Sequence, residues 1–216
     1  YYIAPIYPAL YAAGWVAVES LTAPRARALV TGVATVGIVL WGVLVFPLGY
    51  PVLPPARMAR YLERLGIEQA TETNHGTVLR IPQDYADMLG WEAQTKAVAA
   101  VFDSLTPAEQ RTAAIAAGNY GEAGALQFYG PRYGLPPAVT NAGSFWYFGP
   151  GDRPGDPLVA LGSDSADLVR NWRTVTRAGR VINRWGVAEE QDVPIWVARG
   201  EKETLQALWP SLGGHE

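Results

Sequence analysis

The sequence predicts an α/β protein: two N-terminal transmembrane helices followed by a layered α/β soluble domain with a largely parallel sheet. Three observations carry this reading. Charge is nearly absent from the first 54 positions, where only Glu19, Arg25 and Arg27 are charged, and is ordinary after them. Within that stretch, Ala28 to Leu53 is an uncharged run as long as a bilayer core requires. Beyond it, short apolar runs alternate with segments of helical period, the pattern of layered α/β architecture.

The whole chain has 216 residues, of which 17% are charged, against roughly a quarter in a typical soluble protein. Its net charge is −3 and no basic block is present, so nucleic-acid binding has no electrostatic footprint. Cysteine is absent, which excludes disulfides and thiolate metal sites. The chain opens on Tyr1 rather than methionine and is expected to be a piece of a longer protein.

The first membrane element is expected at about 1–19, "YYIAPIYPALYAAGWVAVE". Pro5 and Pro8 bend its first turns, and Tyr1, Tyr2, Tyr7 and Tyr11 suit a membrane–water boundary. The second is expected at 28–53, with Pro47 and Pro51 near one end, where they disturb a helix least. The loop "ESLTAPRAR" between them carries two arginines and one acid, which sets it on the cytoplasmic side. Both ends of the hairpin then emerge opposite, and the domain at 55–216 is extracytoplasmic.

That domain opens with an amphipathic helix in which Met58, Tyr61, Leu62 and Leu65 alternate with Arg57, Arg60, Glu63 and Arg64. "WEAQTKAVAAVFDSL" has helical spacing, and the Thr106-Pro107 pair starts a further short helix. "RTAAIAAG" reads as a buried strand and "GEAGALQFYGPRYG" as a helix stopped by Gly130-Pro131. "PPAVT" and "DPLVALGS" are short strands, and "SADLVRNW" is a helix capped by Ser163 or Ser165. "TVTRAGRVIN" and "VPIWVARG" are strand-like, before a closing helix in "EKETLQALWPSL".

The stretch "GNYGEAGALQFYGPRYGLP", Gly118 to Pro136, draws attention as a site. Strand, glycines and helix in that order form the plan of phosphate-binding loops. The spacing Gly118-x-x-Gly121-x-x-Gly124 is not the dinucleotide fingerprint, however, and no P-loop lysine follows. Glu122 in the first turn would also repel a phosphate. Two readings stand. As scaffold, Gly118 and Gly121 make a tight turn with Gly121 at positive φ, Asn119 or Tyr120 caps the helix, and Glu122 complements its dipole. Its carboxylate is then held by a nearby hydrogen-bond donor or by Arg132. As pocket, Asn119, Tyr120, Glu122, Arg132 and Tyr133 line a polar site at the strand's carboxyl end.

Other chemistry is thinner. His75 and His215 lack partners at metal spacing, and no G-x-S-x-G elbow is present. Asp84 and Asp87 suit either a helix cap or a carboxylate pair. "NAGSFWYFGPG" suits a packed loop or sugar stacking.

"YYIAPIYPALYAAG", "PVLPP", "PQDYADMLGWE" and "GNYGEAGALQFYGPRYGLPPAV", in this order, resemble the C-terminal part of bacterial glycosyltransferase family 39 proteins. These multi-spanning enzymes are similar to dolichyl-phosphate-mannose–protein mannosyltransferases and to aminoarabinose transferases. The resemblance implies a multi-pass cell-membrane protein that moves a sugar from a polyprenyl-phosphate carrier to an acceptor, without a cofactor. Its partners would be that lipid-linked donor, membrane lipid and the rest of the parent bundle. The acidic base of the family lies in an early extracytoplasmic loop that this chain does not include. The resemblance therefore assigns no catalytic residue here and implies that this part alone is inactive. Relatives usually carry an acid at the position of Gln127 and a histidine–asparagine pair at Ala142 and Gly143, so these positions are not essential to shared chemistry. Tyr2 matches an aromatic pair at the outer end of a late membrane helix. There it could meet the carrier phosphate or serve only in an interfacial belt. A membrane-anchored, non-enzymatic ligand-binding domain is the alternative from a different class.

Overall fold

The computed structural model describes residues 4–67, 71–73 and 76–213. Tyr2, His75 and His215, singled out above, lie outside these described residues. The chain divides into two units, Tyr1–Met58 and Ala59–Glu216.

In the first unit a 3-10 turn at Ala4–Ile6 leads into α1 (Tyr7–Leu21), and α2 (Arg27–Gly49) follows. Neither helix buries a residue. With 23 residues at about 1.5 Å each, α2 exceeds the roughly 30 Å of a bilayer core. It is the one helix among the described residues long and apolar enough to cross a membrane. The expected pair of spans is thus not seen. At 15 residues, α1 falls short, because the chain around Pro5 forms a 3-10 turn before it and the helix stops at Thr22. α2 also ends before the expected Leu53. Tyr50 is extended, as a residue before proline prefers, while Pro47 is accommodated in the last turn.

α3 (Pro55–Leu65) buries Met58 and Leu62 and exposes Arg57, Arg60, Glu63 and Arg64, as its periodicity predicts. α4 (Gln83–Ala86) and α5 (Trp91–Asp103) come next, then α6 (Pro107–Thr112). Thr106 caps α6 in a complete capping box: its hydroxyl accepts from Glu109 N while the Glu109 carboxylate accepts from Thr106 N.

β1 (Ala114–Ala117), α7 (Tyr120–Tyr129), β2 (Ala138–Val139), β3 (Leu158–Leu161), α8 (Ser165–Asn171), β4 (Trp172–Ile182), β5 (Asp192–Glu201) and α9 (Leu205–Leu208) complete the unit. The sheet runs in the order β2-β1-β3-β5-β4. β1 pairs in parallel with β2 and β3, but β5 pairs antiparallel with both β3 and β4. The sheet is therefore mixed, not largely parallel, and its longest ladder is antiparallel. The cause is the link between β4 and β5: residues 183–191 hold a turn and a 3-10 element at Ala188–Glu190 but no crossover helix.

Residues alternate across this sheet with period two. Ile115, Ala117, Val159, Leu161, Ile195 and Val197 face a core shared with α5 and α7. Ala114, Leu158, Ala160 and Ala198 face the other side, under α8, α9, Trp172 and Trp209. The edges differ in kind. β2 is two residues long, whereas β4 is long but exposes Arg173, Arg177 and Arg180 and shifts register between Arg177 and Gly179.

Candidate functional site

Two neighbouring parallel strands, β1 and β3, each end in a glycine followed by a polar residue and a helix. "AIAAGNYGEA" and "LVALGSDSAD" follow the same plan. The two turns touch. Gly118 N donates to Leu161 O at 2.8 Å, and a Cβ on residue 118 would lie 2.7 Å from the carbonyl oxygen of Gly162. Gly118 does not have positive φ, so close approach of backbone is what demands glycine there.

Gly121 likewise lies inside α7 and does not adopt the expected positive φ. The space it leaves is taken by the Trp91 ring, whose Cη2 would sit 2.9 Å from a Cβ at 121. Of the two expected caps for α7, Asn119 serves: its Oδ1 accepts from Glu122 N at 2.9 Å. For α8 the cap is Asp164, accepting from Ala166 N at 2.8 Å, rather than either neighbouring serine.

Glu122 is in the first turn of α7 as expected, but it is buried, with 2% of its surface exposed. Its Oε2 accepts from Gly118 N at 2.8 Å, so the donor is a backbone amide and not Arg132. Glu190 lies close to it in a buried polar cluster. The Glu190 carboxylate accepts from Asn119 Nδ2 at 3.0 Å and from Gln94 Nε2, while Gln94 Oε1 has no hydrogen-bond partner. Burial, and secondarily the charge of Glu190, pushes the Glu122 carboxyl up to about 7 against the pull of two backbone amides.

In front of this cluster opens a cavity of about 990 Å³ at the carboxyl ends of β1, β2 and β3. It lies where the chain leaves β1 for a neighbour on one side while β3 flanks it on the other. Ligands of open α/β sheets occupy such crevices. Its apolar lining residues, Leu158, Leu168, Trp172, Leu205 and Trp209, are buried. Its polar ones, Asn119, Asn141, Ser163, Asp164, Asp167 and Arg170, are exposed or half-buried.

Of the residues proposed from sequence, Asn119 and Tyr120 line this cavity. Glu122 stands behind it, under Gly118 and Gly162. Arg132 and Tyr133 belong to a 3-10 turn, Gly130–Tyr133, at the carboxyl end of α7. There Tyr133 OH donates to Glu92 Oε1 at 2.7 Å, and the Arg132 guanidinium lies over the rings of Phe128 and Tyr129. Gln127 holds β2 through Nε2 to Ala138 O at 3.1 Å.

Neither Asp84 nor Asp87 caps a helix through its side chain; the N-cap residues of α4 and α5 are Pro82 and Gly90, and neither helix has a side-chain cap. The aromatic loop forms a 3-10 element, Gly143–Phe148. Trp146 and Trp209 exchange indole hydrogen bonds to each other's carbonyls there, leaving Tyr147 and Phe148 on the surface. Among the described residues no group of three or more histidine or acidic side chains is arranged to hold a metal ion.

Sequence reasoning missed Gly162, Asp164, Asp167 and Glu190. The first three had a signal, since "LVALGSDSAD" repeats the strand–glycine–helix plan. Glu190 had none, being brought in by the β4–β5 connection. Compared with protein-family models, curated proteins and solved structures, the chain matches none.

Proposed function

We propose that the chain is the C-terminal portion of an integral-membrane glycosyltransferase that uses a polyprenyl-phosphate-linked sugar. In this reading α2 crosses the bilayer, and the second unit is an extracytoplasmic domain on the acceptor side of the reaction. The observation that carries the site is the cavity at the carboxyl ends of β1, β2 and β3. Its size falls within the range of small-molecule sites, and a lining that joins apolar surface to hydroxyl, amide and carboxylate groups suits a sugar. The transferase assignment itself rests on the ordered motifs from "YYIAPIYPALYAAG" to "GNYGEAGALQFYGPRYGLPPAV". Asn119, Tyr120 and the polar lining of the cavity would orient the acceptor. The base that activates it would come from the remainder of the parent bundle.

The test has two arms. A reporter fused after Pro55 should be active only outside the cytoplasm; a cytoplasmic signal overturns the orientation. Membranes carrying the full encoding reading frame should transfer label from a polyprenyl-phosphate sugar. An upstream sequence with a single anchor and no further spans, together with absent transfer, would make the chain a non-enzymatic binding domain instead.

A further inference from the structure

We infer that the cavity selects a saccharide without anionic groups and excludes phosphorylated ones, so that it receives the acceptor and not the carrier phosphate. This rests on the acceptor-side reading above and follows from how its polar groups are already used. The N-terminus of α7 opens on the cavity, and backbone amides at such a terminus can hold an anion. Here, as at the start of the short α8, a side-chain cap already takes one of these amides. Asn119 Oδ1 takes Glu122 N, and Asp164 Oδ1 takes Ala166 N.

The charge of the lining points the same way. It contains Asp164 and Asp167 against one guanidinium, Arg170, and that guanidinium is paired with Asp167 at 3.0 Å. Behind the wall stands Glu190, buried. A phosphate entering this field meets like charge and finds no uncommitted cation, whereas hydroxyl or ammonium donors meet carboxylate acceptors.

The apolar lining brings no free donor. The indole N–H of Trp172 is spent on Gly155 O at 3.1 Å and that of Trp209 on Trp146 O at 3.0 Å. Those side chains, largely buried, therefore add apolar surface to the lining and no donor. Apolar surface beside carboxylate acceptors is the recognition chemistry of a neutral or amino sugar.

The experiment uses the full chain in lipid nanodiscs, titrated with three sets of probes: methyl glycosides of neutral hexoses and pentoses, 2-amino hexoses, and hexose 6-phosphates. Binding is read by tryptophan fluorescence and saturation-transfer NMR. At least one neutral or amino sugar should bind, with its 6-phosphate weaker by about tenfold or more, equivalent to about 1.4 kcal/mol. In the Asp164→Asn, Asp167→Asn double variant that preference should fall to near parity. Asparagine caps helices as well as aspartate does, so folding should be kept. Equal or tighter binding of the phosphate by the unaltered chain, or an unchanged ratio in the double variant, overturns the inference and leaves the acceptor pocket standing. Failure of every probe at millimolar concentration overturns both the inference and the acceptor pocket. The transfer assay on the full reading frame decides the enzyme assignment independently.

Discussion

The carboxyl group of Glu122 fills the volume that a side chain at residue 162 would need. Gly162 has φ +66°, and a Cβ there would lie 2.7 Å from Glu122 Cδ. Two turns that shape one cavity are thereby locked by a single buried acid.

Gly162→Ala should destabilise the protein by about 2–4 kcal/mol, from left-handed strain plus the collision. Thermal unfolding would measure it. Adding Glu122→Ala to that variant should return part of the loss, since the collision disappears while the strain stays. A double-mutant cycle with no coupling would deny the contact.

Stability should depend on pH through Glu122. Its carboxyl titrates near 7 in the folded protein and near 4.5 when free, so the folded state holds a proton that the unfolded state releases. The contribution is fully present below pH 4.5 and is lost as pH rises through about 7. The loss is about 3 kcal/mol at most. Melting curves from pH 5 to pH 8 should show this fall in the unaltered protein and little of it in Glu122→Gln, which keeps the shape of the neutral acid.

Gly121→Ala should push the Trp91 ring from its place, costing about 1–3 kcal/mol as an overpacking substitution. A shift in tryptophan emission should accompany the lower melting temperature. Unchanged emission and stability would show that the ring does not rest on this glycine.

Glu109 binds Arg199 at 2.8 Å and closes the cap of α6. The Arg199 guanidinium, with the Thr106 amide and hydroxyl, holds its carboxyl at about 2, well below the usual 4.5. Its contribution is present above pH 4.5 and fades as pH falls through about 2. Because the pair is partly exposed, Arg199→Met should cost only about 1 kcal/mol. Thr106→Ala should cost about the same through the cap, and acid titration of both variants by circular dichroism would separate the two effects.

What could be read from sequence was local. Thr106-Pro107, Asn119 before α7 and the apolar run that becomes the long helix α2 are legible within a few residues, because caps and helix length depend on near neighbours. Longer-range facts were hidden. A first-turn glutamate ordinarily sits in water; Glu122 is buried because β3 brings Gly162 against it. Gly121 reads as a turn glycine, yet what requires it is Trp91, set there by α5. The direction of β5 was equally illegible, since a strand's apolar pattern is the same whichever way its neighbour runs.

The ends of the sheet bear on how copies of the protein can live together. One border offers only the two residues of β2, and the other carries three exposed arginines and a break in register. Neither gives a foreign strand a long, flat row of free amides and carbonyls to join. If α2 crosses a bilayer as proposed, molecules held in one plane would collide often at high density. Such borders disfavour the spread of encounters as a growing ribbon, which leaves helices and loops as the better surfaces for lasting association.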